Sequence, residues 1–468
     1  LHSTSRRQRQ MCIRDSMKSN LFMKRKLEIG LSLLIGTSVF GGCNNDLAPI
    51  RQSQTFPPNL NAPTVFESFS PDSGGVKTQL IIRGQNFGTD TAYLKVTVNN
   101  KRAAIVGVAD DVIYAIVPAR ADTGYVRLFV GKDDNVEEYA SQTKFIYQFK
   151  RNVTTLMGRQ GQSGRDDGPY AECKLQRPWF ALADKDGALF FIDEGRGQNK
   201  NGALRRAQEG WVETLVQNSS GPFQSPTCLA FNPKQDTLYI SNMSYGSDIK
   251  TSFNILYVTR EGGFMDVKGL CKFEKAETQG LAVHPQTGEI FFCNKSGGYI
   301  YRFNGPDYED YEPLFQINRA DKIDTRMVFN PEGTALFVVV CNRHCIYKVP
   351  YNALTHTFGE PELFAGGWDE SGYVNGSGVT ARFDNPRQPA FDQDGNMFVP
   401  EYGRHTIRKI TPTGEVSLYA GLPGQAGFTD GLPEKARFNK PECVTVYLDN
   451  SLYVADRDNH LIRRVTVE

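Results

Sequence analysis

Three stretches of equal length, Val153–Pro178, Pro361–Pro386 and Val416–Pro441, align without a gap and share one skeleton. They read VTTLMGRQGQSGRDDGPYAECKLQRP, PELFAGGWDESGYVNGSGVTARFDNP and VSLYAGLPGQAGFTDGLPEKARFNKP. Gly158, Gly366 and Gly421 match, as do Gly164, Gly372 and Gly427. Asp167-Gly168, Asn375-Gly376 and Asp430-Gly431 match next, and each copy ends in proline. A glycine-rich loop that cradles phosphate occurs once, between a strand and a helix. This element recurs and leads each time into an apolar run, so it is a connector, and a nucleotide loop is excluded.

The residues after each proline recur as well: an apolar run, a turn, then a second apolar run. The second runs are ALFFID, TLYISN, EIFFCN, ALFVVV, NMFVPE and SLYVAD, six copies of one unit. Repeats at this spacing stack into a larger architecture, each burying its neighbour's face. The segments NMFVPEYGRHTIRKI and SLYVADRDNHLIRRV resemble NHL repeats, and the resemblance, covering about Asn152 to Glu468, implies a β-propeller. The chain stops at HLIRRVTVE, after the third strand of the sixth copy. NVTTLMG matches the fourth strand EVSLYAG of the fifth copy, so it is expected to complete the last blade and remove an open sheet edge. Residues 149–468 are therefore expected to form a six-bladed NHL-type β-propeller.

Upstream, PTVFESFSPDSGGVKTQLIIRGQNFG and AIVPARADTGYVRLFV alternate apolar and polar residues between short turns, the pattern of an antiparallel sandwich. SFSPDSGG and LIIRGQNFG resemble an IPT/TIG domain, an immunoglobulin-like module, expected over 63–148. Such modules in extracellular bacterial proteins serve as spacers or binding accessories. The fold class is all-β: a sandwich followed by a propeller.

Charge is balanced, with 53 basic against 52 acidic residues, and no long basic block exists. That excludes a general nucleic-acid binder, which needs a concentrated basic face. From Met23 the chain reads MKRKLEIGLSLLIGTSVFGGC, basic residues followed by an apolar stretch too short to span a membrane. Residues 23–42 are expected to be a signal peptide. Small residues before Cys43 resemble a bacterial lipobox, which implies a lipid on Cys43; cleavage of an ordinary signal peptide nearby is the alternative. Residues 1–22 are expected to be a non-native or upstream leader, with the start at Met17 or Met23. Residues 43–62, polar and proline-rich, read as a tether. Seven further cysteines, an odd number, sit mostly in apolar runs and are expected to be buried hydrophobes rather than a disulfide framework.

Histidines are weighed as metal ligands first. His344, His405 and His460 share one repeat position on three blades, at the start of the third strand, too far outward to converge. Blade-to-blade packing or turn hydrogen bonds are expected of them. CNRHC, Cys341 to Cys345, crosses a strand–turn–strand junction and has no second pair at zinc-finger distance. Asp193, Asn242, Asn294, Glu401 and Asp456 recur at the end of the second strand, which points to turn chemistry. No metal, cofactor or catalytic residue is expected. Amidating lyases with NHL-like propellers use zinc-binding histidines near the channel. The matching positions here are Trp179, Thr227, Gln279, Thr325, Arg387 and Glu442, and none is histidine.

These positions are expected to open onto one end of the channel, where propellers usually bind ligands. Trp179 offers a flat face; Arg326, Arg387, Gln388 and Glu442 offer charge and hydrogen bonds, a mixture suited to sugar. Trp368, Tyr373, Tyr170 and Phe428 stand on the long connectors, either as ligand contacts or as packing. A lipid-anchored IPT/TIG module before an NHL propeller resembles surface lipoproteins of Bacteroidota encoded with glycan-uptake systems. The resemblance implies an outer-membrane glycan-binding protein that captures oligosaccharide or polysaccharide, with a glycan transporter complex as partner. Cell-surface display is expected, and a periplasmic orientation stays open. One alternative is a carbohydrate-active propeller enzyme, a lyase or hydrolase using Glu442 with Tyr402. The other is a protein–protein interaction scaffold.

Overall fold

A computed structural model describes residues 55–59, 61–194, 202–217, 223–243, 253–273, 278–295, 297–305, 307, 309–318 and 322–467. The leader, the signal segment, Cys43 and the first part of the tether lie outside the described residues.

The N-terminal sandwich pairs Val65–Ser70, Gln79–Gln85, Val112–Ile116 and Lys101–Ala109 on one side. On the other, Lys101–Ala109 continues into Leu94–Val98, Gly124–Lys132 and Asn135–Tyr147. Alternation in YVRLFV sends Val126, Leu128 and Val130 into a core with Leu80, Ile82, Ile113 and Phe145. Arg120 Nε donates to the Val467 carbonyl at 3.2 Å, so the sandwich touches the last propeller strand.

Six antiparallel blades follow. Their innermost strands are Pro178–Ala183, Pro226–Phe231, Thr278–Val283, Thr325–Phe329, Ala390–Phe391 and Pro441–Val446. The six apolar runs of the sequence are the second strands, and Leu189–Asp193, Ile290–Asn294, Ala335–Val340, Met397–Glu401 and Leu452–Asp456 are buried along their whole length. A strand with a blade on either face reads as continuous apolar sequence rather than alternation. Arg151–Met157 pairs antiparallel with Leu461–Val467, placing Val153 opposite Val465 and Met157 opposite Ile462. The first propeller strand therefore completes the last blade, as expected.

The three long connectors fasten the blade they lead into. Their Asx-Gly pairs add a short edge to that blade's fourth strand: Gly168 faces Val212, Gly376 faces Val416 and Gly431 faces Val153. A fully buried arginine from the same blade's third strand then gathers the connector. Arg463 Nη1 reaches Asp456 at 3.0 Å and the Arg437 carbonyl at 3.0 Å, while Nη2 reaches the Thr429 carbonyl at 2.9 Å and also Asp430. Arg408 does the same with Glu401, Asn375 and the carbonyls of Arg382 and Val374. Arg205 repeats it with Asp193, Asp167 and the carbonyls of Lys174 and Asp166. A planar guanidinium serves four acceptors at fixed angles, which a lysine cannot.

The shared histidines latch the same three junctions. Nδ1 of His344, His405 and His460 accepts the backbone N–H of Asn385, Lys440 and Arg177 at 3.0, 3.1 and 3.1 Å, each on the next blade's connector. Their left-handed backbone, φ near 60° in all three, turns the chain into the third strand. Gly366 of the fourth-blade connector lies against His344: a Cβ there would stand 2.4 Å from the His344 carbonyl oxygen, at a φ of 83°. All seven described cysteines are buried, and none is bonded to another.

Candidate functional site

The fold aims side chains into the channel mouth by a repeated irregularity. In four blades the pairing of first and second strands slips at one residue: Trp179, Thr227, Gln279 and Glu442 are each the extra residue of a β-bulge. A bulge leaves one residue outside the ladder and re-aims its side chain. The fourth blade has no such slip, and Arg326 pairs opposite Val339. In the fifth, Arg387 and Gln388 precede the short strand Ala390–Phe391, and Gln388 bridges Cys443 of the sixth blade.

These residues meet in a buried charge network. Arg326 is 1% exposed and Glu442 1%. Arg326 Nη2 lies 3.2 Å from Glu442 Oε1, and its Nη1 lies 2.9 Å from Asp324 Oδ1. Arg387 Nη1 sits 3.1 Å from Asp324 Oδ2 and 3.6 Å from Glu442 Oε1. Burial opposes the charge on both arginines, but the carboxylates of Asp324 and Glu442 outweigh it and hold both guanidinium groups more firmly protonated than usual. The mouth is thus closed by ion pairs joining blades four, five and six, whereas the sequence suggested an opening. Charges opposed across the channel attract, and the bulge at Glu442 brings its carboxylate within reach of both arginines.

Trp179 and Tyr402 flank the network. Trp179 is 5% exposed, with the guanidinium of Arg457 5.0 Å and that of Arg326 6.0 Å from its ring centroid. Tyr402 is half-buried and gathers three cations: Arg387 at 4.6 Å, Lys440 at 5.5 Å and Arg457 at 5.6 Å. Its hydroxyl accepts from Arg457 Nη1 at 2.9 Å. Gln388 is buried, its amide nitrogen donating to the Met327 and Pro389 carbonyls. Six of the expected site residues therefore come together: Trp179, Arg326, Arg387, Gln388, Tyr402 and Glu442.

The other two stand apart. Tyr373 caps the buried Arg408, 4.5 Å from its guanidinium, and Phe428 caps Arg463 in the same way at 4.8 Å. Trp368 packs against Tyr347 under Arg343. The connector aromatics with these contacts pack the connectors down. Asp324, Lys440 and Arg457 join the mouth without having been singled out from sequence. One signal was available: Arg457 occupies the repeat position of Tyr402, as His460 does that of His405.

Below the mouth the channel widens into a cavity of about 410 Å³. All six blades line it, from Phe180, Met327 and Gln388 down to Pro233, Pro285 and Pro331 at the far end. The mouth itself is short of hydrogen-bond partners. Trp179 Nε1, both amide atoms of Gln279, Arg387 Nε, Gln388 Oε1 and Glu442 Oε2 are buried with no partner among the described residues. Buried polar atoms are ordinarily satisfied by protein or by ordered water, so these groups have hydrogen-bonding capacity beyond their protein partners. Among the described residues no three His, Cys, Asp or Glu side chains are grouped to hold a metal. Glu442 Oε1 is held by two arginines and the Tyr402 hydroxyl by Arg457, and no hydrogen bond joins the two side chains.

A family profile for the IPT/TIG domain matches residues 63–147. NHL repeat-containing protein 2 of Homo sapiens is 33% identical over 186 residues, 37% of this chain and 24% of that protein. The chain thus spans about a quarter of the length of that curated relative. An auxiliary nutrient-binding protein of known structure from Bacteroides thetaiotaomicron is 28% identical, with a TM-score of 0.62 over 88% of this chain and 99% of its own. Another, from Bacteroides ovatus, is 25% identical, with a TM-score of 0.63 over 88% of this chain and 100% of its own. The chain is an IPT/TIG domain followed by a six-bladed propeller of NHL-type repeats, similar in fold and sequence to these Bacteroides nutrient-binding proteins.

Proposed function

We propose that this protein is a lipid-anchored glycan-binding protein of the outer membrane, displayed at the cell surface, which captures oligosaccharide for uptake. Cys43 carries the lipid, the tether and sandwich raise the propeller, and the channel mouth takes the sugar. The observation that carries this reading is the gathering of Arg387, Lys440 and Arg457 around the partly exposed Tyr402, with the polar groups of Trp179, Gln388 and Glu442 behind them. Sugars present hydroxyls that both donate and accept, and apolar ring faces that stack on aromatics. Two similar Bacteroides structures are of nutrient-binding proteins, which supports a nutrient as the ligand. A glycan transporter complex in the same membrane is the partner such a role requires.

A glycan array probed with the purified protein tests this, read for retention and for bond cleavage. Retention without cleavage is the expected result. Cleavage would move the protein to the carbohydrate-active enzymes. Silence in both readouts would overturn the reading in favour of a protein-binding scaffold.

A further inference from the structure

Resting on that reading, we infer that the saccharide taken at the channel mouth is an acidic one, held through a carboxylate or sulfate between Arg387, Lys440 and Arg457. Charges around the mouth do not balance. Five cationic side chains, Arg177, Arg326, Arg387, Lys440 and Arg457, contact one another's partners around Trp179 and Tyr402. Three carboxylates face them. Asp324 and Glu442 are shared by Arg326 and Arg387. Asp458 is shared by Arg177 at 3.7 Å, Arg457 at 3.3 Å and Lys440 at 3.0 Å. Arg404 and Asp384 alongside pair with each other at 3.2 Å and leave the balance unchanged.

Two positive charges are therefore uncompensated in a partly desolvated cluster, with Arg387, Lys440 and Arg457 all over the ring of Tyr402. Like charges gathered at low dielectric repel, and a bound anion relieves that repulsion. The acidic partners are already engaged, Asp458 by three cations, so none is left to serve as that anion. Guanidinium groups match the planar geometry of carboxylate and the oxygens of sulfate through paired N–H donors. Lys440 and Arg177 are the accessible members, with side chains 40% and 53% exposed, so the anion approaches from solvent on their side.

The intact protein on an array of neutral, uronate-bearing and sulfated oligosaccharides supplies the test, followed by titration of each retained glycan against its methyl-esterified or desulfated form. Acidic glycans are expected to dominate the hits. Masking the acid should weaken binding at least tenfold at low salt, with a gap that narrows as salt rises. Lys440→Met, at an exposed position, and Arg457→Gln should each weaken the acidic glycan about fivefold or more, and weaken it more than they weaken the masked form; a melting temperature close to the parent's shows the variant is folded. Esterified and desulfated hits separate a carboxylate source from a sulfate source, and either supports the inference. Hits that are neutral, or that bind equally well once masked, would overturn it and leave the glycan reading standing. No hits of any kind would remove both.

Discussion

Arg326 and Glu442 stand two blades apart in the ring and meet at 3.2 Å in the closed end of the channel, each only 1% exposed. The pair therefore fastens the fourth blade to the sixth, with Arg387 of the fifth between them. Removing one member leaves a charge buried with too few partners, which costs about 3–5 kcal/mol in comparable sites. Glu442→Ala is accordingly expected to lose about 3 kcal/mol or more in urea unfolding. Replacing both Arg326 and Glu442 with methionine should recover most of that loss, since Arg387 keeps Asp324. A double variant as unstable as the single one would count against the ion pair as the cause.

Arg463 tests the connectors. Its four acceptors lie on the second strand and on the connector 416–441, and its own side chain is fully buried among them. Arg463→Lys keeps the charge but presents one compact ammonium, so at least two acceptors lose their donor. The expected outcome is a stability loss of about 2–4 kcal/mol and new proteolytic cleavage between Gly421 and Arg437. Cleavage elsewhere, with that segment still protected, would show that the connector is held by something other than the arginine.

The fold was legible in the chain because its repeats carry a structural job at every position. Gly158, Gly366 and Gly421 recur since a side chain there would strike the carbonyl of His460, His344 or His405. Asp167, Asn375 and Asp430 recur since each accepts from a buried arginine. Ring closure followed from counting strands. The site was legible only in part. The repeat register located Trp179, Arg387 and Glu442 at one end of the channel, but not the β-bulges that turn Trp179 and Glu442 inward. Nor could it show that Arg326 reaches across to Glu442, a contact between residues far apart in the chain that depends on ring diameter. Tyr373 stood open between ligand contact and packing, because its place on a long connector suits either; its role as a lid on Arg408 needed the third-strand geometry.

The three histidine latches carry a pH dependence. Burial lowers the proton affinity of His344, His405 and His460 below the ordinary value of 6.5. Arg343 adds to this at His344, Lys440 and Arg404 at His405, and Arg177 and Arg457 at His460, while Asp369, Asp384 and Asp458 oppose it. Each Nδ1 must also stay unprotonated to accept its backbone N–H. The unfolded chain thus binds the proton more readily, so this stability is complete above 6.5 and is lost as pH falls below it. Asp193 and Asp456, whose carboxyls burial pushes up to about 6, act in the opposite sense over the same window. A triple His→Asn variant isolates the histidines, because asparagine tolerates the left-handed backbone. Between about pH 7.5 and 5 the parent should lose more stability than the variant; parallel curves would refute the latch.

The seven cysteines beyond the N-terminal segment should be silent to thiol reagents. All are buried, and burial pushes the thiols of Cys271, Cys293, Cys341 and Cys345 up to about 12. The thiolate is the reactive form, so at about pH 8 almost none exists in the folded protein. A chain beginning at Thr55 is expected to show no rapid labelling when native and seven equivalents when unfolded. Rapid native labelling of any one would place it at a breathing blade edge.

Trp179 and Tyr402 should separate a structural aromatic from a ligand-contacting one. Trp179 is 5% exposed and has guanidinium groups of Arg326 and Arg457 near its ring. Its removal opens a cavity beneath two cations, so Trp179→Ala is expected to cost about 3–5 kcal/mol of stability. Tyr402 is half-buried and lies under the residues that would meet an anionic sugar. Tyr402→Phe keeps the ring and removes only the acceptor of Arg457, so glycan affinity should change by less than about threefold, the effect of a single modest hydrogen bond. Tyr402→Ala removes the ring that positions Arg387, Lys440 and Arg457 and should weaken binding about tenfold or more, since each cation–π contact contributes about 0.5–2 kcal/mol. Calorimetric titration of the tightest array hit against both variants reads this directly. Equal affinities for the parent and Tyr402→Ala would move the binding surface away from this mouth, to the cavity at the far end of the channel.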